Sequence, residues 1–234
     1  MRQNKIFHGW WMVWGCLCVA VVAWSFALYG PSVYLPTISK LHGWSIGTIS
    51  SALTVSFLVN ASVLSFVGST IHRIGPGPVM LTGSAVMALG LASMGQITQI
   101  WQVYASFALM GLGWSCLSTT AITSSLAPWF ERFQGRAVST ALLGASIGGM
   151  VGVPVLLALI QAMGFAYAML LVAAILILTV WTIGIFVLRH RPQDLGQEPD
   201  GLPAQTVEAS HPSQAWTRKQ ALGTRKLRTV MLAF

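Results

Sequence analysis

The hydrophobic pattern of the chain consists of long apolar runs separated by short polar breaks. No charged residue lies within four stretches, which are bounded by Lys5 and Lys40, Lys40 and Arg73, Arg73 and Glu131, and Arg136 and Arg189. A membrane-spanning helix needs about 20 apolar residues. Each of the first two stretches therefore holds one such helix, and each of the two longer stretches holds two helices joined by a short turn.

This pattern predicts six membrane-spanning helices. Polar breaks at residues 96–99 and 161–164 divide the two longer stretches. The expected spans cover residues 11–35, 47–70, 79–97, 101–127, 137–161 and 165–188. A run such as 166–188 has no polar face, which disfavours the alternative of a soluble helical core protein. We expect spans three and six, the most uniformly apolar, to lie at the periphery and face lipid.

The composition supports an all-α, polytopic membrane fold. Only 8% of the residues are charged, against about 25% in a typical soluble domain. This excludes an ordinary cytosolic enzyme and a disordered tail. Residues 189–229 differ, because they carry eleven of the eighteen charged residues and no long apolar run.

Three regions follow from this division. Residues 1–188 are predicted to form a six-helix transmembrane bundle, and residues 189–229 a flexible cytoplasmic loop. Residues 230–234 are apolar and look like the start of a truncated seventh span. A short apolar tail on a complete protein is the alternative for those last residues.

The net charge of +8 reports topology. With six spans, seven basic residues near the span ends fall on one side and only Lys40 falls on the other. The seven are Arg2, Lys5, Arg73, Arg132, Arg136, Arg189 and Arg191. Because the loops of membrane proteins that carry excess lysine and arginine lie in the cytoplasm, this predicts a multi-pass protein whose N-terminus and central loop are cytoplasmic. The expected location is a plasma membrane, preferably the inner membrane of a bacterium. The lipid bilayer is the expected partner, and nucleic acid is not.

Catalytic and metal-binding patterns are missing from the sequence. It contains no phosphate-binding loop, no H-E-x-x-H and no C-x-x-C, and its five histidines lie at span ends or in loops. We therefore expect no enzyme activity, no catalytic residue, no metal and no cofactor. The six spans also lack a charged residue at depth, so they offer no proton relay of their own.

Several motifs, in order along the chain, resemble the major facilitator superfamily of secondary transporters. Three of these motifs resemble the corresponding segments of its monocarboxylate and oxalate/formate branch. They are the N-terminal lead Phe7-His-Gly-Trp-Trp11, the turn Gly43-Trp-Ser45, and the segment Arg189-His-Arg-Pro-Gln-Asp-Leu-Gly196 with Pro199-Asp-Gly201. Residues 68–75 resemble its signature G-x-x-x-D-R-x-G, through Gly68, His72, Arg73 and Gly75.

The resemblance implies the N-terminal half of a twelve-span transporter, built as an inverted repeat of three plus three spans. It implies a small organic anion as substrate, alternating access as the mechanism, and a missing C-terminal six-helix half as a partner. A self-sufficient six-span accessory or binding protein without transport activity is the alternative.

Two departures from the family pattern limit these implications. His72 stands where the signature has Asp, which puts the family's charge network for gating in doubt. Phe107 stands where drug/proton antiporters carry Arg, which argues against proton-coupled drug export.

Polar and aromatic residues inside the spans are the candidates for a substrate cavity. Trp24 and Trp114 each lie thirteen residues after another tryptophan, at Trp11 and Trp101, which places both about 20 Å into the bilayer. The other candidates are Ser25, Tyr29, Asn60, Ser115, Thr119 and Thr123. Each of these polar groups is also suited to bonding between helices.

Span five carries small residues at a spacing of four. Gly144, Gly148 and Gly152 share one stripe, which favours close packing against a neighbouring helix over substrate contact.

Overall fold

The computed structural model describes residues 7–188 together with Pro192 and Asp200. Within residues 7–188 the regular elements are all helical. The α-helices are α1 (Gly9–Trp24), α2 (Pro31–His42), α3 (Ile46–Ile74), α4 (Pro76–Met94), α5 (Ile100–Cys116), α6 (Thr119–Leu126), α7 (Gln134–Ile147), α8 (Val153–Met163) and α9 (Phe165–Phe186). Two π-helical turns, Ser25–Tyr29 and Gly148–Gly152, follow α1 and α7.

These helices form six candidate membrane spans, which confirms the predicted all-α six-span fold. The spans are Gly9–Tyr29, Ile46–Ile74, Pro76–Met94, Ile100–Leu126, Gln134–Met163 and Phe165–Phe186. Span two continues four residues past its predicted end at residue 70, through His72 and Arg73. Hydropathy marks the apolar part of a helix, whereas hydrogen bonding continues into the polar turn beyond it.

Positive φ angles mark three helix ends. Gly43, Gly75 and Gly164 have φ values of 70°, 88° and 82°. Glycine adopts this backbone region without a steric penalty, so it commonly ends helices. Gly164 separates α8 from α9, within the break that the sequence predicts at residues 161–164.

Span three is not peripheral, which corrects the expectation from its hydropathy. It packs against spans four and six. In the most apolar part of the span, 56% of its residues are buried, against 17% in spans two and five. The prediction was wrong because lipid and protein interior are equally apolar, so hydropathy cannot distinguish them.

Proline explains both π-helical turns. Pro31 and Pro154 lie just after them, at the starts of α2 and α8. Proline has no N–H to donate, and its ring clashes with the carbonyl four residues earlier. Those carbonyls belong to Ala27 and Met150, which lie within the widened turns. At Gly30-Pro31 the helix is therefore locally widened and not broken, since Gly30 keeps right-handed helical angles (φ −53°, ψ −38°).

Spans one and five pack backbone to backbone through the predicted glycine stripe. Gly144 and Gly148 lie against the carbonyl oxygens of Leu17 and Val21, and Gly152 lies against Ser25. A Cβ atom at Gly148 would sit 2.6 Å from the Val21 oxygen, closer than van der Waals contact permits. The close approach of the two helices therefore requires glycine at this position.

Gly148→Ala tests this packing. The added methyl group has to push spans one and five apart, so we expect it to destabilise the bundle by about 1–3 kcal/mol, the usual cost of overpacking. Thermal unfolding in detergent, followed by circular dichroism, measures the change.

Gly135→Ala is the matched control, because a Cβ there meets nothing within 4 Å. We expect it to be neutral or slightly stabilising, as alanine favours helix. Equal midpoints for the two variants would contradict the packing argument.

Candidate functional site

Three aromatic rings from three different spans are in contact, and of these Trp24 and Trp114 are half-buried while Phe57 is 41% exposed. The ring centroids of Trp24 in span one and Trp114 in span four lie 6.3 Å apart, with an interplanar angle of 87°. Phe57 in span two lies 6.0 Å from Trp114, at 67°. Edge-to-face pairs of this kind are favourable contacts. The structure thus brings together the two tryptophans that the sequence singles out, and adds Phe57 to them.

Span four is interrupted beside this cluster, although the sequence predicts a continuous helix over 101–127. Helix α5 ends at Cys116, and α6 begins at Thr119. Ser118 between them is extended (φ −68°, ψ 172°). A broken helix leaves its last carbonyls and first N–H groups without partners inside the helix. Such breaks are tolerated within a membrane where they line a cavity or are buried in protein.

Two buried donors at this break have no partner within the described residues. They are the indole Nε1–H of Trp114 and the hydroxyl of Ser118. Leaving such a group unpaired when buried costs about 1–3 kcal/mol. Trp114 lies two residues before the end of α5 and Ser118 lies in the break itself, so both donors are available to an acceptor that enters there.

Two of the predicted cavity serines are packing residues instead. Ser25 is only 2% exposed, and its single hydroxyl proton is shared between the carbonyl oxygens of Val21 (2.6 Å) and of Gly148 on span five (2.9 Å). Ser115 is fully buried and donates to the carbonyl of Leu112 at 2.6 Å. The protons of both hydroxyls are therefore used within the protein, and the bond of Ser25 to span five is the role between helices that the sequence also allowed.

The other polar candidates divide into packing and accessible groups. Asn60 donates from Nδ2 to the carbonyl of Gly111 at 3.4 Å, which joins spans two and four. Thr119 is exposed, and half-buried Thr123 donates to its carbonyl. Tyr29 is 36% exposed and lies next to Gly149 of span five. Tyr29 and Thr119 are thus the accessible polar positions near the interrupted helices.

The signature loop is separate from this cluster. His72 and Arg73 are exposed in the last turn of α3, and Gly75 ends the helix with positive φ. A Cβ at Gly68 would meet nothing within 4 Å. Fifteen residues of helix separate Phe57 from His72, about 22 Å. These residues therefore have no direct access to the aromatic cluster.

Phe57 and Ser118 are the members of the site that sequence reasoning missed. Ser118 had a readable signal, because it lies in the hydroxyl-rich run 115–120 and precedes Thr119. Serine side chains compete with helical hydrogen bonds, and serine is favoured at helix starts. Phe57 carried no such signal in the sequence, because an apolar residue in an apolar helix looks like its neighbours whether or not it contributes to a site.

The family model of the Major Facilitator Superfamily matches residues 15–234. The chain belongs to the Major Facilitator Superfamily. Its six apolar helices and this membership identify it as a multi-pass membrane protein of a family of transporters.

Individual proteins of known name are related to this chain at 28% sequence identity. The chain is 28% identical over 153 residues to MFS-type transporter 1 of Ophiocordyceps sp. (strain BCC 1869), a match covering 65% of this chain and 34% of the relative. It is also 28% identical over 134 residues to multidrug resistance protein MdtH of Yersinia enterocolitica, covering 56% of this chain and 33% of that protein. The matched part therefore spans about one third of each relative. These likenesses support membrane transport in general, and they leave the monocarboxylate branch a hypothesis.

Cysteine labelling tests whether the break in span four faces water. We expect a cysteine in place of exposed Thr119 to react rapidly with a water-soluble thiol reagent when the chain is reconstituted in liposomes. The background carries alanine in place of Cys16, Cys18 and Cys116, and labelling is followed by mass spectrometry.

Ser115→Cys provides the control on the same span, because Ser115 is fully buried. It should label at least tenfold more slowly. Similar rates at the two positions would mean that the exposed face of α6 is not lined by water.

Proposed function

We propose that this chain is the N-terminal six-span half of a secondary active transporter for a small organic anion, working by alternating access. The observation that carries the proposal is the cluster of Trp24, Phe57 and Trp114 beside the break in span four. Interrupted helices commonly form the substrate sites of secondary transporters.

The chemistry of the cluster suits an amphiphilic acid. The ring faces offer apolar contact to a hydrocarbon body. The Nε1–H of Trp114 and the hydroxyl of Ser118 are free to donate to a carboxylate oxygen. Uncharged donors alone bind an anion weakly in a site of low dielectric constant.

The countercharge has to come from elsewhere. The charged residues within 7–188 are Lys40, Arg73, Glu131, Arg132 and Arg136, and they lie at helix ends or in loops. In this proposal, a lysine or arginine of the C-terminal half neutralises the substrate. The described spans then supply shape and hydrogen bonds, and the other half supplies charge.

The exposure of spans two and five supports a second bundle as partner. In the most apolar part of each, only 17% of the residues are buried within this chain. Span five also carries the glycine stripe on the face that packs against span one, whereas Leu143 and Met150 of the same span are 57% and 73% exposed. We propose that the exposed faces of spans two and five meet the missing half, and that residues 1–188, 189–229 and 230–234 are bundle, linker and the start of span seven. The last five residues and all but Pro192 and Asp200 of the linker lie outside the described residues.

The positive charge near the span ends supports placing the N-terminus and linker in the cytoplasm. We propose a plasma membrane, the inner membrane in a bacterium, as the location.

Export of apolar drugs is a second candidate, because one group of relatives is named multidrug resistance protein. Three aromatic rings without a nearby charge would also suit an uncharged or cationic drug. Phe107, where family drug/proton antiporters carry Arg, is fully buried in α5 and argues against proton-coupled export.

Trp114→Phe tests the anion site in the transporter expressed from its whole reading frame, including any part after Phe234. The substitution keeps an aromatic ring and removes the donor. A hydrogen bond to a charged group contributes about 1.5–3 kcal/mol, so we expect KM for uptake of the substrate to rise by about tenfold or more. Uptake of labelled small mono- and dicarboxylates, compared with lipophilic amines, identifies the substrate class.

Trp101→Phe is the matched control, because this ring is 60% exposed and its Nε1–H donates to Gln99 at the start of α5. It should leave KM unchanged. Unchanged KM in both Trp114→Phe and Trp24→Phe would overturn the proposed site, and transport of amines but no acids would favour drug export.

Residues 1–234 alone provide a further test. Because a carboxylate needs a cation that these spans lack, we expect no substrate flux when the purified chain is reconstituted in liposomes. Specific binding without flux, with no further spans encoded after Phe234, would favour the self-sufficient accessory protein. Flux by residues 1–234 would contradict the half-transporter proposal.

A further inference from the structure

Residue 200 is bonded to the loop between spans four and five, at the end of the bundle where span one begins. One carboxylate oxygen of Asp200 accepts hydrogen bonds from the backbone N–H groups of Glu131 (3.2 Å) and Arg132 (2.6 Å). The other oxygen accepts from the N–H of Phe133 at 3.3 Å. The backbone N–H of Asp200 donates to the carbonyl of Trp129 at 2.9 Å. Asp200 thus bonds to the bundle from within the segment 189–229, which the sequence predicts to be a flexible loop.

The three N–H groups suit a carboxylate. They directly precede α7, which begins at Gln134, so they have no partners in the preceding turn of a helix. The positive end of the helix dipole lies at the same place and favours an anion. Hydrogen bonds to an ionised acceptor are roughly twice as strong as those between neutral groups. Asp200 thus satisfies three backbone donors at once.

The backbone of Asp200 is shaped for this contact. Its φ is 61°, the left-handed conformation, and it is the one residue other than glycine with positive φ in the described part of the chain. Aspartate tolerates this conformation better than most residues. The turn directs the side chain and the backbone N–H toward the same loop.

The loop that receives Asp200 is itself held firmly. Trp129 and Phe130 are almost fully buried, at 1% and 2% exposure. Phe7 packs edge-on against both, with centroid distances of 6.3 and 5.5 Å. Trp10 lies 5.6 Å from Phe130. Asp200 therefore attaches to a part of the bundle that is anchored on span one.

We propose that Asp200 closes the open end of the hairpin formed by spans five and six. At the far end, the turn at Gly164 joins α8 to α9. At the near end, span five starts at Gln134 and span six stops at Phe186, and Asp200 ties the chain that leaves span six to the chain that enters span five. We call this set of four hydrogen bonds the Asp200 clasp.

The clasp has a consequence for transport, which rests on the proposed function. Span five presents a free face to the missing half, so any force between the halves acts on this hairpin. A closed hairpin transmits that force as one body, whereas an open hairpin would splay.

Hydrogen exchange of residues 1–234 in detergent micelles tests the clasp without any transport assay. Asp200→Asn removes the charge and one acceptor oxygen. We expect the backbone amides of residues 131–133 to exchange at least tenfold faster in this variant, and faster still in Asp200→Ala. Amides of α3 and α4, which do not touch the clasp, should be unchanged and report that the bundle is folded.

Asp194→Asn is the control, because it removes the same charge from the same segment. It should leave exchange at residues 131–133 as in the native chain. Native exchange in both Asp200 variants would overturn the clasp, as would equal acceleration by Asp194→Asn.

If Asp200→Asn does not fold, Asp200→Glu is the alternative variant, because it keeps the charge but displaces the carboxylate. Native exchange of the amides of residues 131–133 in Asp200→Glu would contradict the proposal. A protein expressed from its whole reading frame that shows the clasp but transports no substrate would refute the proposed function alone.

Discussion

The need to satisfy every backbone hydrogen bond in an apolar medium is the constraint on which this structure depends. A helix meets that need within its own segment, which is why six apolar runs become six helices. Deviations are costly, so their positions are informative. Within the described residues they occur in spans one and five, as π-helical turns, and in span four, as an outright break. The widened turns are explained by Pro31 and Pro154. The break has no proline and is flanked instead by hydroxyl residues and by Trp114.

Close packing of spans one and five places these deviations relative to one another. Because Gly148 has no side chain, the carbonyl oxygen of Val21 approaches the backbone of span five more closely than a methyl group at residue 148 would allow. The hydroxyl of Ser25 then bridges to the carbonyl of Gly148, so that a polar group is satisfied between two helices. The same contact orients span one, and Trp24 on it reaches Trp114 on span four. The glycine stripe of span five thus lies against one side of span one, and Trp24 lies on another side of it.

The sequence predicted parts of the site for sound physical reasons and missed others for equally physical ones. Equal spacing of Trp24 and Trp114 from earlier tryptophans indicated similar depth, and the rings are in contact. Depth does not tell which way a side chain points, so for Ser25 and Ser115 the sequence left both a cavity and bonding within the protein open, and the structure shows their bonds to carbonyl oxygens. Phe57 was missed because its contribution depends on the neighbouring helix. The contact of Asp200 joins residues 67 to 69 positions apart, and no local pattern reports such a pairing.

The sequence by itself determined the all-helical class, the number of spans and the turns at glycines, because these follow from transfer of apolar side chains out of water and from local backbone sterics. Tertiary structure alone decided which spans are buried, where span four breaks and which donors stay unpaired. Those outcomes depend on neighbours that are distant in the chain, and in a membrane a neighbouring helix and a lipid tail are equally apolar. The arrangement of the helices is therefore set by shape and hydrogen bonding, at positions such as Gly148, Ser25 and Asn60, which hydropathy does not register.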